Sequence, residues 1–170
     1  RHARPNIHSL MEGWSSRGYA TYPMQGTNAR VSLWKFDLPP GWTEWAHEEV
    51  PSICAHQWVG YNRALLDAER SLPPGTHARC DYETLVAHPH AETRRIFDFL
   101  GLALSGRALR DSIFPPVVNT VTAPAGEKWR ASAKVLNGLA PIFTPTLREI
   151  GYGDDIGAPT TAQAPPPPTP

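Results

Sequence analysis

Arg1-His2-Ala3-Arg4-Pro5-Asn6-Ile7-His8-Ser9 opens the chain, and Leu10-Met11-Glu12-Gly13-Trp14-Ser15-Ser16 carries its pattern onward. Pro5 suits a first helical position, because its ring fixes φ and it has no N–H to leave unpaired. Ile7, Leu10, Met11 and Trp14 recur at helical spacing, so one apolar stripe predicts a helix over residues 5–16. Ser9 lies one turn after Pro5, roughly 6 Å along the axis. Helical side chains lean toward the N-terminus, which aims the Ser9 hydroxyl at whatever sits over the helix start. That end carries free N–H groups and a partial positive charge, and so attracts an anion. Arg1 adds a planar charged fork suited to phosphate. Two readings stand: a phosphate grip, or an amphipathic helix with an ordinary exposed Arg and Ser.

Outward from this helix, residues 17–50 show little periodicity and are rich in Gly, Pro and aromatics, among them Trp34, Phe36, Trp42 and Trp45. They read as an irregular segment that either recognises a ligand with its aromatic surface or packs over the core. Pro51-Ser52 starts the next helix, whose apolar face runs through Ile53, Trp58, Val59, Leu65 and Leu66 to about Leu72. Pro73-Pro74-Gly75 stops it. Thr76 to Tyr82 reads as a short buried strand, and Thr84 to Ala87 as a turn or brief helix. Pro89 to Leu100 is a helix with Glu92 in its first turn and Gly101 just past its end. Ser105 to Phe114 is a further short helix closed by Pro115-Pro116, and 117–130 is extended or looped. Leu139, Ile142, Phe143, Leu147 and Ile150 mark a last helix ending at Gly151, with Pro145 a point of kinking. From Asp154 the chain is mostly Ala, Thr and Pro, a composition that cannot build a core and predicts a disordered or polyproline-type tail over 154–170.

Composition narrows the classes. The 170 residues suffice for one domain with a sizeable core. The formal net charge is zero, which argues against a nucleic-acid partner. No apolar run is long enough for a membrane span, and no signal peptide is legible. The two cysteines, Cys54 and Cys80, are not a disulfide framework; both read as small buried hydrophobes, and a cytoplasmic setting is the plainer expectation. The seven histidines include no helical His-x-x-x-His pair, so no metal site is expected.

Arg1-x-x-x-Pro5-x-x-x-Ser9 resembles the 3′-phosphate-binding element of sulfotransferases that use 3′-phosphoadenosine 5′-phosphosulfate. Three later segments resemble the same family in the same order. Gln57-Trp58-Val59-Gly60-Tyr61-Asn62 looks like the start of the long helix after the variable acceptor region. Arg79-Cys80-Asp81-Tyr82-Glu83-Thr84-Leu85, with Ile96-Phe97-Asp98-Phe99-Leu100-Gly101-Leu102 behind it, looks like the family's Tyr-Glu-Asp-Leu element and the helix end that follows. Glu127-Lys128-Trp129-Arg130 resembles the late Lys-Trp-Arg element of bacterial members.

The resemblance implies the fold and the roles. The fold expected is α/β: the C-terminal, mostly helical part of a P-loop-like three-layer sulfotransferase fold with few strands, over residues 1–153. No Gly-x-x-x-x-Gly-Lys-Ser/Thr loop occurs in the chain. The phosphosulfate loop, several central strands and the usual catalytic His are therefore expected upstream of Arg1. Arg1 and Ser9 match the residues that hold the 3′-phosphate, and Tyr82 the residue beside adenine, unless it is a half-buried core aromatic. Where the animal cytosolic pattern has Arg-Lys-Gly, this chain has Thr122-Ala123-Pro124. Lys128 or Arg130 would then hold phosphate, or else be solvated loop charges, while Trp129 packs. Glu83 is expected to bind local backbone or Arg groups as a helix acid, not to act as a base. His2, His8 and His56 are candidate bases, with none assigned. The implied donor is 3′-phosphoadenosine 5′-phosphosulfate with no metal, and the implied acceptor a hydroxyl or amine of a small molecule, lipid or sugar. The oligomeric state stays open, a homo-oligomer included. Two rival classes remain: another P-loop transferase or nucleotide kinase, and a non-catalytic interaction module.

Overall fold

The opening stretch is helical from Ala3 to Ser15 (α1), two residues earlier than its proline suggests. His2 caps it: the imidazole Nδ1 accepts the Arg4 N–H at 3.3 Å. Pro5 thus stands third in the helix, still within the first turn, where a missing N–H leaves no helical bond unmade. The computed structural model of the chain describes residues 1–18, 20–106 and 127–153.

The segment expected to be irregular contains an antiparallel hairpin, Ala20–Pro23 (β1) with Leu33–Lys35 (β2), in which Tyr22 faces Trp34. Such short strands, joined by a long connection, leave no period-2 pattern to read. A 3-10 turn, Trp42–Glu44, follows. Trp34 is fully buried, and its ring meets Trp14 at 5.3 Å, Trp42 at 5.5 Å and Trp45 at 5.6 Å between centroids. Of the two readings of this segment, packing therefore describes Trp34 and Trp45. The hairpin lies against α1, where Phe36 closes on Gly13 so tightly that a Cβ at Gly13 would collide with the ring.

Val50–Ser71 (α2) is the long central helix, with Pro51 in its first turn and Leu72 extended ahead of the prolines. It packs against α1 on one side and against Ala140–Glu149 (α6) on another. Tyr82–Ala87 (α3) and Pro89–Phe99 (α4) form a helical pair. α4 ends as expected: Gly101 takes φ +66°, the Leu102 N–H reaches the Phe97 carbonyl at 2.9 Å, and the Gly101 N–H reaches Asp98 at 3.1 Å. After residue 126 the chain makes a 3-10 turn, Lys128–Ser132, then a short helix Ala133–Gly138 (α5), then α6 with Pro145 inside it. α5 was not anticipated. Ile7, Ile53, Cys54, Trp58, Leu136, Phe143 and Leu147 join α1, α2, α5 and α6 in one buried cluster.

Two expectations are corrected. Thr76 to Tyr82 is not a strand: residues 76–81 have no regular structure and Tyr82 starts α3. Among the described residues the one sheet is the β1–β2 hairpin, so nothing pairs with this segment, and a strand is stable only with a partner ladder. Its Arg79 instead reaches Glu69 and the Ile150 carbonyl. Cys80 is consequently exposed, not buried, whereas Cys54 lies in the core as expected. The helix read over 105–114, the stretch 117–126 and the tail 154–170 lie outside the described residues, but for the start of the first. What is described is mostly helical with one small sheet, compatible with part of an α/β fold.

Candidate functional site

The start of α1 meets the start of α3 as two consecutive residues facing two consecutive residues. The Arg1 guanidinium lies 4.6 Å from the centroid of the Tyr82 ring, within cation–π range. One residue on, the His2 N–H donates to Glu83 Oε1 at 2.9 Å. The Trp58 indole N–H from α2 donates to the Arg1 carbonyl at 3.3 Å. Tyr152 completes the junction: its hydroxyl donates to Glu83 Oε2, and its ring stands edge-on to His2 at 5.4 Å. Gly151 explains how Tyr152 gets there. Its φ of +92° reverses the chain after α6, and the Tyr152 N–H bonds back to the Leu147 carbonyl at 3.1 Å.

Charge at this junction is set by burial and by these bonds. Burial pushes the Glu83 carboxyl up, but the bonds from the Tyr152 hydroxyl and the His2 amide outweigh it and hold it below the ordinary carboxylate value. The Tyr152 hydroxyl is raised by burial and by Glu83. Burial lowers the His2 imidazole, with Glu83 opposing. Since His2 Nδ1 accepts a bond, the ring proton sits on Nε2, which is buried without a hydrogen-bond partner.

Arg1 and Tyr82 are thus brought together, with Tyr82 44 % exposed. Ser9 leans toward the helix start as geometry requires, but its hydroxyl donates to the Pro5 carbonyl at 3.0 Å. The backbone at that start is not an open anion cradle. The His2 N–H is held by Glu83, the Arg4 N–H by His2, Pro5 has none, and Ala3 is fully buried.

Lys128 and Arg130 lie along α1 with other partners. Lys128 Nζ is 2.6 Å from Glu12 Oε2, and Glu12 also stands 3.8 Å from His8 Nε2. His8 Nδ1 is 3.1 Å from the Ser132 hydroxyl. Burial lowers the His8 imidazole, Glu12 raises it and Lys128 lowers it. Arg130 pairs with Glu127 at 2.7 Å and covers Trp129 at 5.0 Å from the ring centroid. Trp129 itself packs, buried, with Arg4 at 5.9 Å on its ring. His56 stacks on Trp45 at 5.2 Å and faces Glu48. No group of three His, Cys, Asp or Glu is placed to hold a metal ion among the described residues, and no helix there is long and apolar enough to cross a membrane.

The sequence marked Arg1 and Tyr82 but not Tyr152 or Trp58 for this junction, and it pointed to local backbone or Arg groups as partners of Glu83, where the structure has the distant His2 N–H and the Tyr152 hydroxyl. The one legible signal for Tyr152 was its position after Gly151. A model of the sulfotransferase family matches residues 23–106, which span the hairpin from Pro23, then α2, α3 and α4. Tyr82 and Glu83 lie inside the match; Arg1, Ser9, Lys128 and Arg130 lie outside it. No solved structure matches the chain.

Proposed function

Because the chain belongs to the sulfotransferase family through residues 23–106, we propose that it serves transfer of a sulfuryl group from 3′-phosphoadenosine 5′-phosphosulfate to a hydroxyl or amine acceptor. The acceptor class is a small molecule, lipid or sugar, and the fold is the mostly helical part of a P-loop-like three-layer α/β architecture. The observation that carries the reading is the exposed Arg1–Tyr82 pair at the start of α1, a cation beside an aromatic face. A nucleotide 3′-phosphate needs the first and its base can stack on the second. The donor supplies the sulfuryl group; the residues of this chain bind and orient it. Ser9 joins by turning its hydroxyl from the Pro5 carbonyl to the phosphate. Lys128, which Glu12 holds further along α1, and Arg130, which Glu127 holds, are further cations for the donor once released from these partners. As in phosphoryl transfer, positioning and neutralisation of spread negative charge are the protein's main contribution.

The test is a thermal-shift titration of the full chain with adenosine 3′,5′-bisphosphate against adenosine 5′-monophosphate. A melting temperature that rises with the bisphosphate alone, and no longer rises in Arg1→Ala, supports the reading. A folded protein whose melting point ignores both nucleotides sinks it.

A further inference from the structure

We infer that Glu83 is a positioning residue: its carboxylate sets Arg1 on the Tyr82 ring and so tunes the nucleotide affinity of that pair, an inference that rests on the nucleotide-binding reading above. Among the described residues, no bond from a sequence neighbour holds Arg1 in place. Its carbonyl accepts one bond from Trp58, and its guanidinium meets Tyr82 from across the chain. Glu83 is the next residue after Tyr82, and it grips His2, the next residue after Arg1, at 2.9 Å. The two contacts are therefore adjacent on both sides, and the Glu83 bond fixes the spacing of the Arg1–Tyr82 pair.

The second oxygen of Glu83 takes the Tyr152 hydroxyl, and the Tyr152 ring braces His2 edge-on. One carboxylate thus ties the start of α1, the start of α3 and the turn after α6. Its charge strengthens both bonds, because hydrogen bonds to an ionised acceptor are about twice as strong as neutral ones. Glu83 does not itself offer an anion anything, being negative. It acts through Arg1.

Two readouts on the full chain separate this inference from the functional reading. The first needs no nucleotide. The Arg1 guanidinium carbon lies over the Tyr82 ring, 4.6 Å from its centroid, so the ring current should displace the proton NMR signals of the guanidinium end of Arg1 upfield. In Glu83→Gln, which keeps the shape and loses the charge, they move toward their positions in Tyr82→Leu. Unchanged Arg1 shifts in Glu83→Gln overturn the inference, whether or not the bisphosphate binds. The second is calorimetric titration with adenosine 3′,5′-bisphosphate. Glu83→Gln weakens binding about tenfold in the wild-type background and less than about twofold in Arg1→Ala. Equal losses in the two backgrounds also overturn the positioning role, since a merely structural residue would weaken both alike. If the unaltered chain does not bind the bisphosphate, the functional reading fails and the NMR arm alone decides the positioning. Should Glu83→Gln not fold, Tyr152→Phe, which removes a single donor to Glu83, carries the same measurements, with a smaller change in the same direction expected and no change overturning the inference.

Discussion

Gln57 is fully buried in α2, and its amide joins three segments that are distant in sequence. Its Oε1 accepts the Trp14 indole N–H at 3.0 Å, and its Nε2 donates to the Lys35 carbonyl at 2.9 Å and to the Asp37 carbonyl at 3.1 Å. Gln57→Leu keeps the volume and removes all three bonds. Asp37 retains the Trp34 indole N–H at 3.1 Å, so it is not orphaned. The Trp14 N–H and the Lys35 carbonyl lose the Gln57 bond inside the protein. Each such loss costs about 1–3 kcal/mol, which puts the substitution at about 2–6 kcal/mol in all. At about 2–4 °C per kcal/mol for a chain of this size, that is a fall in melting temperature of about 4–24 °C. The assay is thermal and urea unfolding followed by circular dichroism and by tryptophan fluorescence, which reports on Trp14 and Trp34. Trp14→Phe in the Gln57→Leu background should cost less than Trp14→Phe alone, because it removes the orphaned N–H. A loss under about 1 kcal/mol would refute the reasoning, since it would mean that water satisfies both groups once the amide is gone.

Gly60→Ala places a Cβ 2.5 Å from Pro39 Cβ. Pro39 is held by its carbonyl bond to the Trp42 N–H at 3.1 Å, so the overpacking costs about 1–3 kcal/mol against a gain in helix propensity of about 1 kcal/mol. A net loss of stability is expected, and a higher unfolding midpoint would contradict it. Stability should also fall on acidification. His2 and His8 have lowered folded-state pKa values, so the stability they contribute is fully present above about 6.5 and is lost as pH falls toward their folded values. Glu83 has the same sign one step lower, with its contribution present above about 4.3 and lost as pH falls through its depressed value. Melting curves between pH 7 and 5 should flatten in His8→Gln, and an unchanged slope would remove His8 from the account. In thiol labelling of the folded protein, only Cys80 should react, and slowly, because partial desolvation of this exposed residue and the neighbouring Glu92 raise its thiol pKa, while Cys54 is enclosed. Labelling of both thiols at equal rates would contradict the packing of α2.

Much of the helical frame was legible because it is local. The stripe of Ile7, Leu10, Met11 and Trp14, the prolines at the head of α2 and α4, and Gly101 and Gly151 at helix ends each act within one or two turns of backbone. Those signals placed α1, α2, α4 and the last helix to within a few residues. The strand assigned to Thr76–Tyr82 failed for the complementary reason. Strand formation depends on a neighbour that a stretch of sequence does not name, and no described segment supplies one. The hairpin of β1 and β2 escaped notice because its stability comes from Trp34 packing on Trp14, Trp42 and Trp45, not from its own alternation.

The site divides along the same line. By itself the sequence offered a guanidinium and a hydroxyl one turn along a helix as candidates for phosphate chemistry, since these are properties of residue type and short spacing; Tyr82, Lys128 and Arg130 were marked by the family resemblance, and the exposure of Tyr82 was not legible. Only the tertiary structure decided who meets whom. It set Arg1 on Tyr82 across the chain, gave Glu83 to His2 and Tyr152, and committed Ser9, Lys128 and Arg130 to Pro5, Glu12 and Glu127. Charged and polar groups take whatever partner the packed backbone brings within about 3 Å, and that choice is settled by long-range packing of α1, α2, α3 and α6.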